Sequence, residues 1–225
     1  MRPFEEELKS LNQVLQEMGA LVAQSIHRSV LSLVEKNEDY AHQVLRDEAR
    51  INQCEIQVDG MVTTLIVRES PVAGDMRFLV GAIKINTDLE RMGDMAVAIV
   101  ERSLAGLRQP EVPMDVSFTE MGNLVEGMVL TSLDAFVARD EQLARTVIAS
   151  DDAVDKLRNS ITKQMIETMK RDPITIERAL DNILIARRLE RIADHATNIA
   201  EDVIFMVKGI DVRHRATDGN PVSSR

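Results

Sequence analysis

A chain of 225 residues with 44% hydrophobic content is long enough to bury one substantial core or two small ones. Its formal net charge of -10 and the lack of any basic cluster exclude a protein that grips nucleic acid through surplus Lys and Arg. Aromatic residues make up 3% and Trp is absent, while Ala, Leu, Ile, Glu and Arg recur, which favours helices packed on helices over a sheet and hence an all-α fold.

The chain opens on MRPFEEELKS, which lacks the apolar core of a secretory signal. No later stretch is apolar over the roughly 18 to 20 residues that a membrane span needs, so a cytoplasmic protein without membrane insertion is expected. The first apolar-periodic run covers about residues 4–36 and breaks at EKNED, where Asn37 caps a second run from Glu38 to Ser70. Cys54, the single cysteine, shares a helical stripe with Ile51, Val58 and Met61 and reads as core packing. Ser70 followed by Pro71 reads as a capping serine ahead of a first-turn proline, starting a third helix that extends to about Leu107. LRQPEVPMDV, with two prolines and no apolar period, is the linker. The pattern resumes at Phe118, Asp140 caps the next run, and Asp172 with Pro173 repeats the proline start before a last helix reaching Gly209. RHRATDGNPVSSR is polar and reads as a disordered tail. The expected organisation is residues 1–107, a linker at 108–116, residues 117–209 and a tail at 210–225.

The two parts are copies. IKINTDLERMGDMAVAI at 83–99 aligns without gaps on ILIARRLERIADHATNI at 183–199, with eight identities in seventeen positions. Unrelated sequences match at about one position in fifteen. Upstream, VEKNEDYAHQV and VARDEQLARTV align more weakly, at an offset three residues larger. The expected fold is therefore two tandem three-helix bundles made by internal duplication.

In the last helix Leu189, Ile192, Ala196, Ile199, Val203 and Met206 recur by threes and fours as a bundle-facing seam. Glu190 and Asp194 flank that seam, and Glu90 and Asp94 flank its copy. Four residues are one helical turn, so each pair presents its carboxylates side by side. Across the hairpins that the prolines make, Asp151 and Asp155 lie level with Glu190 and Asp194, and Glu48 and Asn52 with Glu90 and Asp94. Such a cluster is tolerable when protonated, paired with arginine or occupied by a cation, and Arg91, Arg187, Arg188 and Arg191 offer the arginine solution. An ion held by oxygens alone would be hard: magnesium, calcium, manganese, or iron on carboxylates. The four-carboxylate second half is expected to bind more tightly than the first, where Asn52 replaces an acid. Other acidic pairs one turn apart, such as Glu35 with Asp39 and Glu177 with Asp181, read as solvated faces in a chain with 37 acidic residues. His195 reads as a surface residue, with auxiliary metal ligation as its alternative, and His27 and His42 as structural.

LERMGDMAVAI and LERIADHATNIAEDVIF resemble the signature helices of the PhoU family, regulators of bacterial phosphate uptake. The resemblance covers nearly the whole chain, including the stretch SPVAGDMRFLVGAIKI and a Glu-x-x-x-Asp pair in each half. It implies a cytoplasmic homodimer without catalytic activity, coupling the ATPase of a phosphate ABC transporter to a two-component sensor histidine kinase. In that role the protein restrains phosphate uptake and the phosphate-starvation response. It also implies metal binding, by iron, manganese, zinc or magnesium, through motifs matched here by Glu90 with Asp94, Glu190 with Asp194, and Asp151 with Asp155. A di-iron carboxylate enzyme is the competing class, but its inward-facing Glu-x-x-His pairs have no counterpart. A metal-free helical scaffold would explain the seam and leave the repeated acidic stripe without a reason.

Overall fold

The computed structural model describes residues 3–113 and 117–210. Six α-helices carry nearly all of them: α1 (Pro3–Val34), α2 (Glu38–Glu69), α3 (Ala73–Gly106), α4 (Ser117–Ala138), α5 (Glu141–Arg171) and α6 (Ile176–Lys208). A 3-10 turn, Pro173–Thr175, leads into α6, and no strand occurs among the described residues. Of the expected tail at 210–225, residues 211–225 lie outside the described residues, as does the end of the linker at 114–116.

Local chemistry sets the helix ends. The Asn37 side chain accepts the Asp39 backbone N–H, and Asp140 accepts those of Gln142 and Leu143, so both capping residues act as their sequence predicts. Each is preceded by a basic residue in the left-handed region, Lys36 at φ 53° and Arg139 at φ 52°. The same two-residue device thus turns α1 into α2 and α4 into α5. Asp172 caps the Pro173 turn through the Ile174 N–H, and Gly209 closes α6 at φ 68°. Ser70 departs from expectation. It is the left-handed C-cap of α2, and α3 starts only at Ala73, behind Val72 and without a side-chain cap. The dipeptide that follows Ser70 is spent on the turn, so its hydroxyl is too far back to reach the N–H groups of α3.

The duplication is visible in the burial pattern. Ala41, Val44, Ile51, Val58, Val62 and Leu65 of α2 are buried, and so are Ala144, Val147, Val154, Ile161, Met165 and Thr168 at matching positions of α5. Cys54 is buried within this stripe, as its period predicts. In each half the three helices pack on one another, α1 with α2 and α3, α4 with α5 and α6.

The halves lie side by side, α1 against α4 and α3 against α6, around a shared apolar core, with a smaller cluster of Ala41, Val44, Ala96 and Val100 beside it. A side-chain methylene on Gly19 would meet Leu133, and one on Gly122 would meet Val30. The first contact maps onto the second when the halves are exchanged, so α1 and α4 cross antiparallel about a pseudo-twofold axis. Ser29 and Ser132, another matched pair, are both buried and both donate to a carbonyl three residues back, Ile26 at 2.7 Å and Val129 at 2.8 Å. Between α3 and α6, Lys84 pairs with Asp202 at 3.2 Å, His195 with Asp88 at 2.7 Å, and Arg102 with Asp181 at 3.0 Å. These contacts run in opposite senses along the two helices, which are therefore antiparallel as well.

Candidate functional site

The acidic stripe of α6 faces α5, as the hairpin geometry predicts. Burial, then the charges of Asp194, Asp155, Asp152 and Glu190, push the Asp151 carboxyl above its ordinary value. Asp194 is also raised, by burial first and then by Asp155, with His195, Arg191 and Arg158 opposing. Asp151, Asp155, Glu190 and Asp194 are thus close enough to repel, and two of them are partly neutralised. Arg158 donates one Nη2 to Asp155 Oδ1 at 3.0 Å and to Glu190 Oε1 at 3.0 Å. Of the arginines beside the stripes in sequence, Arg91 and Arg191 act on Glu90 and Asp194 only through their charge. Among the described residues Arg91, Arg187, Arg188 and Arg191 enter no ion pair, and three of them instead line a groove between α3 and α6 with Asp94 and His195.

The first half is arranged differently. Glu90 is raised by burial first, then by the charges of Asp94 and Glu55. Glu48 sits partly buried on α2 and makes no hydrogen bond or ion pair among the described residues. Glu55 stands where α5 has Arg158, so the sign of the charge beside the stripe is inverted between halves. With this position included, the second half carries fewer net negative charges than the first, and the ranking expected from four positions alone no longer follows. Sequence reasoning passed over Glu55 and Arg158. The available signal was a charge three residues past the second-helix pair that changes sign between the copies.

His195 is not a surface residue. Its side chain and that of Asp88 are each 12% exposed, and the pair joins α6 to α3. Asp181 is likewise no solvated acid, since it accepts from Arg102 Nη1 at 3.0 Å and Gln109 Nε2 at 3.1 Å.

Oxygen donors alone suit a hard cation, and mutual repulsion within each stripe is the charge pattern that a cation relieves. As placed, no three His, Cys, Asp or Glu side chains among the described residues stand within reach of one ion. An ion in the second half would have to displace Arg158 from Asp155 and Glu190.

A raised carboxyl pKa means that the folded state binds its proton more tightly than the unfolded one. The resulting stability is fully present below the ordinary Asp value of 3.8 and is lost as pH rises through the folded value, so at pH 7 these carboxylates burden the metal-free fold. The double variant Asp151→Asn, Asp194→Asn is therefore expected to unfold later than wild type at neutral pH. The gain is up to about 1 kcal/mol for charges this exposed. Thermal melts in chelator across pH 4 to 8 should show the gain shrinking toward acid. A gain that does not vary with pH, or a loss at pH 7, would mean that the carboxylates do not strain one another.

The profile of the PhoU domain matches residues 15–103 and 118–203, one match in each half. The chain belongs to the PhoU domain family. It is 36% identical over 212 residues to a phosphate-specific transport system accessory protein PhoU homologue of Pseudomonas putida, covering 94% of this chain and 83% of that one. The accessory protein PhoU of Escherichia coli is 31% identical over 215 residues, 96% of this chain and 89% of its own. Among solved structures, PhoU from Pseudomonas aeruginosa superposes with a TM-score of 0.87 at 35% identity, covering 92% of this chain and all of that one. The phosphate transport system regulatory protein PhoU of Streptococcus pneumoniae gives 0.85 at 27% identity, over 93% and 99% of the two chains. The paired three-helix architecture is thus the PhoU fold. No helix of the described residues is long and apolar enough to cross a membrane.

Proposed function

We propose that the protein is a negative regulator of phosphate uptake and of the phosphate-starvation response. It acts in the cytoplasm as a homodimer, without catalysis, through the ATPase of a phosphate ABC transporter and a two-component sensor histidine kinase. The observation that carries this reading is full-length similarity, across both repeats, to proteins named as accessory to phosphate-specific transport. A long helical body with polar faces and paired acidic stripes suits an adaptor, which needs surface rather than a reaction chamber.

Metal binding belongs to the same reading. The donors are Glu90 and Asp94 with Glu48 and Glu55 in the first half, and Glu190 and Asp194 with Asp151 and Asp155 in the second. A bound cation supplies positive charge that screens the carboxylates from one another. The chain's own contribution is to hold those side chains one helical turn apart on rigid helices, and to set Arg158 in competition with the ion at one stripe only.

The test is a clean chromosomal deletion in cells grown in rich phosphate. Phosphate uptake and starvation-gene transcription should both rise severalfold and return to basal levels when the gene is restored. Unchanged uptake and transcription, with no second copy of the gene present, would remove the regulatory reading and leave a structural scaffold. Elemental analysis of protein purified without a metal-affinity tag addresses the stripes separately. Metal content that does not fall in the Glu190→Gln, Asp194→Asn variant would clear the second one of any role.

A further inference from the structure

Arg178 is 4% exposed, and its Nη1 has no hydrogen-bond partner. The side chain enters no ion pair among the described residues. Burial pushes the guanidinium below its ordinary pKa, opposed by the charge of Asp181, but an arginine stays protonated in any protein. Asp181 does not neutralise it by contact, because that carboxylate is taken by Arg102 and Gln109.

The surroundings are built around this group. Gly106, the last residue of α3, lies so close that a side-chain methylene there would sit 1.1 Å from Arg178 Nη1 and displace the guanidinium from this place. Beside it, the segment that follows α3 closes over a cavity of about 50 Å³ lined by Arg178, Lys36, Gly106, Gln109 and Glu111 among others. A water needs roughly 10–15 Å³ of such volume, so the space takes a few waters or one small anion. Lys36 is paired with Glu111, which is 84% exposed and free to swing into solvent.

The other half of the chain provides a comparison. Position 178 matches Phe78, which is stacked on Phe136 with Arg139 above its ring. At the location related to it by the pseudo-twofold axis, these three places hold Arg178, Leu33 and Lys36. The fold thus tolerates an apolar plug at this location, and one copy has a buried cation and an open cavity instead.

Gln109 narrows the ligand. Its Nε2 donates to Asp181, which fixes the amide orientation, and its Oε1 is left buried without a donor. A ligand that satisfies the cavity must carry negative charge for Arg178 and Lys36 and an O–H for Gln109. We propose that this cavity binds a protonated tetrahedral oxyanion, of which hydrogen phosphate is the common example, between Arg178, Lys36 and Gln109. The site lies apart from the acidic stripes, and the proposal does not rest on transport regulation.

The experiment uses the full chain, freed of metal and dialysed into chloride. Inorganic phosphate is titrated at constant ionic strength by calorimetry and by thermal melting, with sulfate, which has no proton at neutral pH, in parallel. Wild type should give a saturable heat for one site per chain and a melting temperature that climbs with phosphate. Sulfate, unable to donate to Gln109, should bind about tenfold more weakly or less well still. Arg178→Phe copies the other half, so it should fold, melt no lower than wild type without phosphate, and lose the phosphate response altogether. Lys36→Met should weaken binding by about tenfold. Absence of saturable binding by either ion, or an Arg178→Phe variant that responds like wild type, overturns the proposal. Either of these leaves transport regulation standing, since the deletion experiment reads it without reference to this cavity.

Discussion

Replacing Phe78 by alanine is expected to destabilise the protein by about 3–5 kcal/mol, the range for removing a fully buried aromatic side chain. Phe78 of α3 and Phe136 of α4 are 1% and 0% exposed, and their rings stack with centroids 4.9 Å apart and 16° between planes. The loss therefore includes apolar burial, an aromatic pair worth roughly 1 kcal/mol, and the contact of the Arg139 guanidinium, 5.0 Å from the ring centre. It also falls where one half meets the other, Phe78 belonging to α3 and Phe136 to α4. For a chain of this length each kcal/mol lowers the melting temperature by about 2–4 °C, and a fall on the order of 10 °C is anticipated. Denaturant unfolding monitored by circular dichroism checks this, with Phe78→Leu expected to restore more than half of the loss. A cost below about 1 kcal/mol would show that the ring is not packed as described.

Gly122→Ala should also destabilise, by about 1–3 kcal/mol, although alanine is the better helix former by roughly 1 kcal/mol. The added methyl would lie 2.8 Å from one Val30 methyl and 3.2 Å from the other. Valine in a helix is held to one rotamer, so it cannot rotate aside, and α1 and α4 must separate or strain. The diagnostic is the double variant. Val30→Ala clears the space, and Gly122→Ala in that background should be neutral or stabilising, giving a coupling energy of at least about 1 kcal/mol. Additive effects of the two changes would mean that these helices do not cross at this pair.

The helices, three of the four expected caps, the duplication and the acidic stripe were legible because each is written in a local period or a short-range hydrogen bond. Asn37, Asp140 and Asp172 cap through backbone N–H groups two or three residues away, a distance that any sequence reading covers. Ser70 is not placed by its sequence, because the same serine suits either side of a turn. Its left-handed backbone, not its hydroxyl, decides that it ends α2. His195 and Asp88 are 107 residues apart and meet only because the halves pack antiparallel, a relation that helical periodicity does not encode. Arg158 was hidden for a different reason. The arginines adjacent to Glu90 and Glu190 in sequence point about 100° away around the helix, and the one that reaches Glu190 comes from the facing helix, one turn beyond Asp155. Arg178 carries no repeat signal, since its counterpart in the first half is a phenylalanine.

The exchange of Gly19 with Leu133 for Gly122 with Val30 makes the surface between the halves self-complementary. Two separate three-helix units with such a surface would associate as a dimer whose folded fraction follows protein concentration. Joined by a short connection, the second unit is held at an effective concentration in the millimolar range or above, whatever the abundance of the protein. Its core is thereby complete in a single chain. The integrity of each half does not depend on how many molecules a cell contains.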